Sequence, residues 1–287
     1  MTFSSNSKPC INISVFDSTE VFIRTACSGI DASCISKGTS TIGSFRNRRP
    51  NTIVIHGRCK SEIGPFAVAI ERPAAFFGFL LAENLAKARI KTKGELIEKA
   101  VSEDCNVTVL TEFNTSIADC LARCNKDSFG LAAEALFKTI AANKSITNKN
   151  GSWAAGRRII SSYLSALGID RSQFYIADGS GLSRQNELSA YAITKVLWDV
   201  YKDRDWSLYK ASLAVGGVDG TVNEYFEEQK YKGKICGKTG YMTGVKSFSG
   251  VCSTADGDYI FSILTNNANG KTRTAINDIA KAIIDAD

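Results

Sequence analysis

The chain has 287 residues, 44% hydrophobic and 22% charged, which is enough for one large or two ordinary globular domains with a full core. No apolar run approaches the ~18 residues of a membrane span, and the opening MTFSSNSKPCINISV lacks the apolar stretch of a secretion signal. The formal net charge of +6 suits an anionic polymer, but no aromatic residues interleave with the basic ones, so nucleic acid is not indicated.

In chain order, the first 70 residues are turn-rich, with short β-type runs at INISVF, VFIRTA, TIVIHG and FAVAI. The basic cluster Arg46, Arg48 and Arg49 reads as a solvated loop between them. From Pro73 the texture turns helical: PAAFFGFLLAENLAKARI opens with a proline and continues with strong helix formers. TSIADCLARCNKD, SFGLAAEALFKTIAAN and GSWAAGRRIISSYLSALG follow as helices, the last closed by Gly168. FYIADGSGLSRQNELS interrupts with glycines and serines. Helices SAYAITKVLWDVYKD and DWSLYKASLAV come next. SFSGVCSTADGDYIFSILTNN reads as a hairpin with a tight primed turn at Asp256-Gly257, and TRTAINDIAKAIIDA as a closing helix. The tail is therefore strand, strand, strand, helix, an antiparallel sheet in a mixed α and β chain.

The stretch KGKICGKTGYMTGVKSFSG poses a choice. Gly237-Lys238-Thr239 ends like a phosphate-binding loop, but that loop needs a glycine five positions earlier, where Lys232 stands. The residues that follow suit a strand and not the helix that such a loop opens. Gly270-Lys271-Thr272 fails in the same way at Thr265. The single histidine, His56, lies in a strand-like run, and no Gly-x-Ser-x-Gly elbow exists, so a hydrolase built on this chain would take Lys or a carboxylate as its base. Nine cysteines include no Cys-x-x-Cys pair. Cys120 and Cys124 are spaced i, i+4, but with one histidine no zinc pattern follows, and structural thiols are the better reading.

Four segments occur in a telling order: CNKDSFGLAAEALFKTI, IADGSGLSRQNELSA, LAVGGVDGTV and GKTGYMTGVKSFSGV. With that order and spacing, residues 50–284 resemble the D-alanyl-D-alanine carboxypeptidases and endopeptidases of the class C, low-molecular-mass penicillin-binding proteins, the penicillin-binding protein 4 type of serine peptidase. The resemblance implies an α+β class. Its core is a β-lactamase-like antiparallel sheet flanked by helices, incomplete here. Residues 1–70 would be the β-rich remnant of an inserted domain and residues 71–287 the C-terminal part of the catalytic domain. Such enzymes use Ser-x-x-Lys, Ser-x-Asn and Lys-Thr-Gly. By position, Lys238, Thr239 and Gly240 form the third motif, an edge strand along which the peptide lies. Lys238 keeps the site positive, Thr239 takes the terminal carboxylate, and the amide after Gly240 donates to the oxyanion. Ser128 is the serine of the second motif, Tyr241 adjoins the substrate, and Asp178, Ser180 and Ser183 support the site. The substrate implied is the peptidoglycan stem peptide, with β-lactams as ligands, no metal or cofactor, and a location outside the cytoplasmic membrane.

Three departures qualify the resemblance. Gly130 stands where the second motif has its asparagine, and Tyr241 where a small hydroxyl residue is usual. No Ser-x-x-Lys occupies the nucleophile's place: Ser5–Lys8 is followed by Pro9 and opens no helix, and Ser207–Lys210 falls in an ordinary helix. The expectation is therefore a carboxypeptidase present without its nucleophile segment, as a fragment of a longer frame, or a degenerate paralogue that binds wall peptides or a protein without catalysis.

Overall fold

The computed structural model describes strands at residues 23–25, 41–46 and 53–58, and then residues 73–95, 97, 108, 111–142 and 151–286. By contact the chain divides into two compact units, Met1–Thr108 and Val109–Asp287. In the first, β1 (Ile23–Thr25) runs parallel to β3 (Ile53–Arg58), which pairs antiparallel with β2 (Thr41–Arg46). Arg46 thus ends a strand, where a loop was expected, because its backbone pairs with Ile53. The runs INISVF and FAVAI lie outside the described residues. Helix α1 (Pro73–Lys87) also belongs to this unit, although the sequence places it with the catalytic part.

The second unit has the α+β architecture expected. Helices α2 (Ile117–Asn125), α4 (Trp153–Ala166) and α5 (Ala190–Tyr201) each start at a serine cap, where Ser116, Ser152 and Ser189 accept the amides of Asp119, Ala155 and Ala192 at 3.0, 3.2 and 3.0 Å. Each cap satisfies one of the amides that a helix start leaves without an internal partner. Helix α3 (Gly130–Ala142) follows α2 after a sharp turn. The two-stranded ladder of β4 (Phe174–Tyr175) and β5 (Glu187–Leu188) clamps the stem of the loop between them. Helix α6 (Trp206–Ser212) stops three residues before the expected end of its run, because Ala214 and Val215 extend into β6 and pair with β7.

The main sheet runs β6 (Ala214–Val215), β7 (Ile235–Met242), β8 (Val245–Ser253), β9 (Asp258–Asn266), antiparallel throughout. The β8–β9 connection is a four-residue turn closed by the Thr254 amide on the Gly257 carbonyl at 2.9 Å. Only Gly257 in it has positive φ (138°), which corrects the two-residue primed turn read at Asp256-Gly257. Helix α7 (Thr272–Asp285) covers β8 and β9. Beneath it Phe226, Phe248 and Phe261 pack ring on ring, with centroids 5.9 and 5.0 Å apart, among Ile235, Ile276 and Ile284. A second core joins Phe137 of α3, Leu164 of α4, Ile169, Phe174, Ile176 and Ala192 of α5. This core fixes the helical layer and the 177–186 loop against each other.

Candidate active site

Strand β7 is only partly covered. β6 reaches Gly237 and Cys236 and no further, so from Lys238 onward β7 has a ladder partner on the β8 side alone among the described residues. Glycine lets β7 lie close against β8 on its paired side. A Cβ on Gly237 would strike the Ser249 carbonyl oxygen, and one on Gly240 the Ser247 hydroxyl. Facing it is the turn between α2 and α3. Ser128 there has φ +53°, a left-handed conformation that a non-glycine residue adopts at a cost. The turn is held by the Phe129 amide on the Arg123 carbonyl at 3.0 Å and by the Arg123 guanidinium 4.8 Å from the Phe129 ring centroid.

The two segments meet across a cavity of about 470 Å³. Lys238 Nζ donates to Ser128 Oγ at 2.6 Å and to its neighbour Thr239's carbonyl at 2.6 Å. Lys238 is the single charged side chain among the described residues lining this space. Burial pushes its ammonium below the ordinary lysine value, partly opposed by the thiolate form of Cys124 beside it. Burial likewise raises the Cys124 thiol, with Lys238 opposing. The Thr239 hydroxyl lies 2.8 Å from that of Thr221. Tyr241, 74% exposed, stands at the mouth.

The 177–186 loop supplies the third wall. Asp178 builds it: its carboxylate accepts the amides of Gly181 and Ser183 at 2.8 and 2.7 Å and the Asn186 side-chain amide at 2.8 Å. Ser183 is a member of this loop scaffold and does not line the cavity, while Ser180 does. The Ser180 amide donates to Glu134 Oε1 at 3.0 Å, and Trp153 Nε1 to Glu134 Oε2 at 2.9 Å. Burial alone would raise the Glu134 pKa, but these hydrogen bonds hold it below the usual range.

The geometry brings together Ser128, Lys238, Thr239, Gly240, Tyr241 and Ser180, with Asp178 and Ser183 behind them. Sequence reading missed Cys124, Asn125, Glu134 and Thr221. Glu134 and Thr221 sit inside segments already singled out, and their signal was only their place beside the motif residues. Lys210 Nζ lies 3.4 Å from both Asp258 Oδ2 and Ser253 Oγ, and neither Ser207 nor Lys210 lines the cavity, although Tyr209 between them does, so the Ser207/Lys210 pair is not part of the site. Ser5–Lys8 lies outside the described residues. His56 is in β3, as its strand-like setting suggests.

This arrangement, a lysine ammonium on a serine hydroxyl beside a glycine-thin sheet border, suits an anionic peptide end and acyl chemistry next to it. Comparison with known proteins gives the same direction. Residues 15–285 match the model of the D-Ala-D-Ala carboxypeptidase 3 (S13) family. A D-alanyl-D-alanine carboxypeptidase of Actinomadura sp. (strain R39) is 30% identical over 237 residues, 79% of this chain and 44% of that protein. D-alanyl-D-alanine carboxypeptidase DacB of Haemophilus influenzae is 23% identical over 235 residues, 78% of this chain and 48% of that protein. The chain thus spans about half the length of these curated relatives. In fold it is similar to the crystal structure of penicillin binding protein 4 (dacB) from Haemophilus influenzae, complexed with a β-lactam, at TM-score 0.70 and 20% identity, covering 99% of this chain and 67% of that one.

Proposed function

The chain belongs to the D-Ala-D-Ala carboxypeptidase 3 (S13) family, and from that premise we propose that it carries the substrate-holding half of a serine-type D-Ala-D-Ala carboxypeptidase site for peptidoglycan stem peptides. One observation carries the reading: Lys238 Nζ on Ser128 Oγ at 2.6 Å, joining the sheet border to the helical layer across the cavity. The terminal carboxylate of the peptide would lie at Thr239 beside the Lys238 charge, with the peptide backbone along the open border of β7. In the acyl-serine reaction a nucleophilic oxygen bonds the penultimate carbonyl carbon, the C–N bond to the last D-alanine breaks, and its nitrogen takes a proton. Ser128, held by Lys238, is placed to relay that proton, and water then cleaves the ester. β-Lactams fit the same path, since their amide is opened by the same attack.

The nucleophile itself is proposed to come from sequence beyond the residues that line the cavity. Supporting this, the described lining residues contain no Ser-x-x-Lys pair, and the chain spans 44% and 48% of two relatives' length. Residues 1–70 are then the remnant of an inserted domain, and the site of action is outside the cytoplasmic membrane. Among the described residues no helix is long and apolar enough to cross a membrane.

A second reading, a degenerate module that binds wall peptides or a protein without catalysis, is favoured by Gly130. It puts no side chain where the second motif has an amide, and only Ser180 Cβ, at 3.4 Å, and Leu182 Cδ1, at 3.9 Å, lie near the place of its missing Cβ. The test combines fluorescent penicillin labelling, D-alanine release and calorimetric binding of N-acetyl-D-Ala-D-Ala. Reversible peptide binding with no covalent label is expected of this chain. A covalent label would place the nucleophile within it and overturn the missing-segment reading; absence of peptide binding would overturn the substrate assignment. Activity of the chain extended by its upstream coding sequence separates the enzyme from the binding module.

A further inference from the structure

We propose that Asn125 is a further substrate-binding residue: its side-chain carbonyl oxygen, Oδ1, accepts the N–H of the scissile amide in a bound stem peptide. The proposal rests on the reading above, with the peptide along β7 and Ser128 beside the bond that breaks. Asn125 ends α2, three residues before Ser128, and lines the cavity. It is 8% exposed. Its Nδ2 donates to Ser212 Oγ at 2.8 Å, and Ser212 Oγ donates in turn to the Tyr209 carbonyl at 2.7 Å. A serine hydroxyl has one proton, and a carbonyl can only accept. The Ser212 proton is therefore committed to Tyr209, and Ser212 must take its second bond from Asn125. These two bonds fix which way the carboxamide is turned. Turned over, it would set two oxygens against each other with no proton between them.

Oδ1 is left over. Lys238 Nζ bonds Ser128 Oγ and the Thr239 carbonyl, not Asn125. Among the described residues, the buried side-chain polar atom without a partner is Arg157 Nε. Asn125 Oδ1 is thus unbonded yet not sealed in, and it opens to the cavity that its residue lines. An oxygen that offers only lone pairs repels the peptide's carboxylate and carbonyls and attracts an N–H. Of the peptide's N–H groups, that of the scissile amide is the one placed at Ser128. After attack its nitrogen carries this N–H, two carbons and a lone pair. With the N–H held at Oδ1, the lone pair is left free for the Ser128 proton. The carboxamide absent at Gly130 is in this way replaced in part by one from the end of α2.

The test is calorimetry with N-acetyl-D-Ala-D-Ala and with the ester N-acetyl-D-Ala-D-lactate, which differ only in that an oxygen replaces the scissile N–H. The unsubstituted chain is expected to bind the amide about tenfold more tightly than the ester, the order of one buried hydrogen bond. Asn125→Ala is expected to bring the amide down to the level of the ester and to leave the ester within about twofold. Ser212→Ala keeps Asn125 but frees its carboxamide to turn over and offer Nδ2 to the ester oxygen, so the gap between the two ligands should shrink at least about threefold. Each variant is first checked by thermal melt, and if Asn125→Ala does not fold, Ser212→Ala decides. Equal affinities for amide and ester in the unsubstituted chain, equal losses of both in Asn125→Ala, or an unchanged gap in Ser212→Ala would overturn the proposal and leave the substrate reading standing. Failure of the unsubstituted chain to bind either ligand overturns the two together.

Discussion

Phe137→Ala is the substitution that most directly tests how the helical wall of the cavity is held. Phe137 is 3% exposed in the core it forms with Leu164 of α4, Ile169, Phe174, Ile176 and Ala192 of α5. Two of its neighbours are glycines pressed onto it: a Cβ on Gly156 would lie 2.6 Å from Phe137 Cδ1, and one on Gly179 would lie 2.6 Å from Phe137 Cβ. Losing the ring's burial costs about 2–3 kcal/mol by transfer alone, and the void left behind brings Phe→Ala losses to about 3–5 kcal/mol. Collapse normally softens that figure, as neighbouring side chains lean into the space. Gly156 and Gly179 have none to offer, so the upper part of the range, about 4–5 kcal/mol, is expected. That is a large share of the roughly 5–15 kcal/mol of an ordinary domain. Urea titration followed by far-ultraviolet circular dichroism measures it directly. A loss below about 2 kcal/mol with an unchanged m-value would refute the rigid-packing argument. Because Gly179 and Ser180 line the cavity, peptide affinity should fall in the same variant under conditions where it stays folded.

Two further outcomes are expected. Gly130 does not have positive φ, and its nearest neighbour, Ser180 Cβ, would lie 3.4 Å from an added Cβ, so Gly130→Asn should fold and hold or raise stability by up to about 1 kcal/mol, since glycine is a poor helix residue. A melting temperature well below that of the unsubstituted chain would show the site to be tighter than it is described. Burial lowers the Lys238 pKa from the ordinary 10.5, so its ammonium is lost before that pH is reached, and carboxylate-peptide affinity should fall through the same window. The sign for stability is opposite: the unfolded chain binds the extra proton between the two values, so this group's contribution rises with pH there and is lost as pH falls through the folded value. Binding and melting measured from neutral to alkaline pH, with Lys238→Met flattening both trends, check the assignment.

Much of this site was legible because its chemistry is carried by residues adjacent in sequence. Lys238, Thr239 and Gly240 are consecutive on one strand, and strand β7 announces itself through its glycines and β-formers. The helices were legible where serine caps and apolar spacing agree, as at Ser116, Ser152 and Ser189. What escaped was whatever depends on distant pairing. Ala214 and Val215 look like the end of a helix, and become a strand only because Gly237 and Cys236 lie beside them. Thr41–Arg46 is polar and basic enough to pass for a loop until β3 pairs with it. Glu134 looks like one more helical carboxylate, and its task is visible only once the Ser180 amide and the Trp153 indole are found on its two oxygens. Thr221 has no local signature at all, since its partner is a hydroxyl on another element.

The Ser128–Lys238 contact also bears on the order in which the molecule is made. It closes a separation of 110 residues, whereas β7, β8 and β9 join through short turns between neighbours. Closing the longer loop costs more chain entropy and returns little until both layers exist. The sheet should therefore nucleate early and the cleft last, so a kinetic intermediate would carry finished hairpins around an unmade binding site.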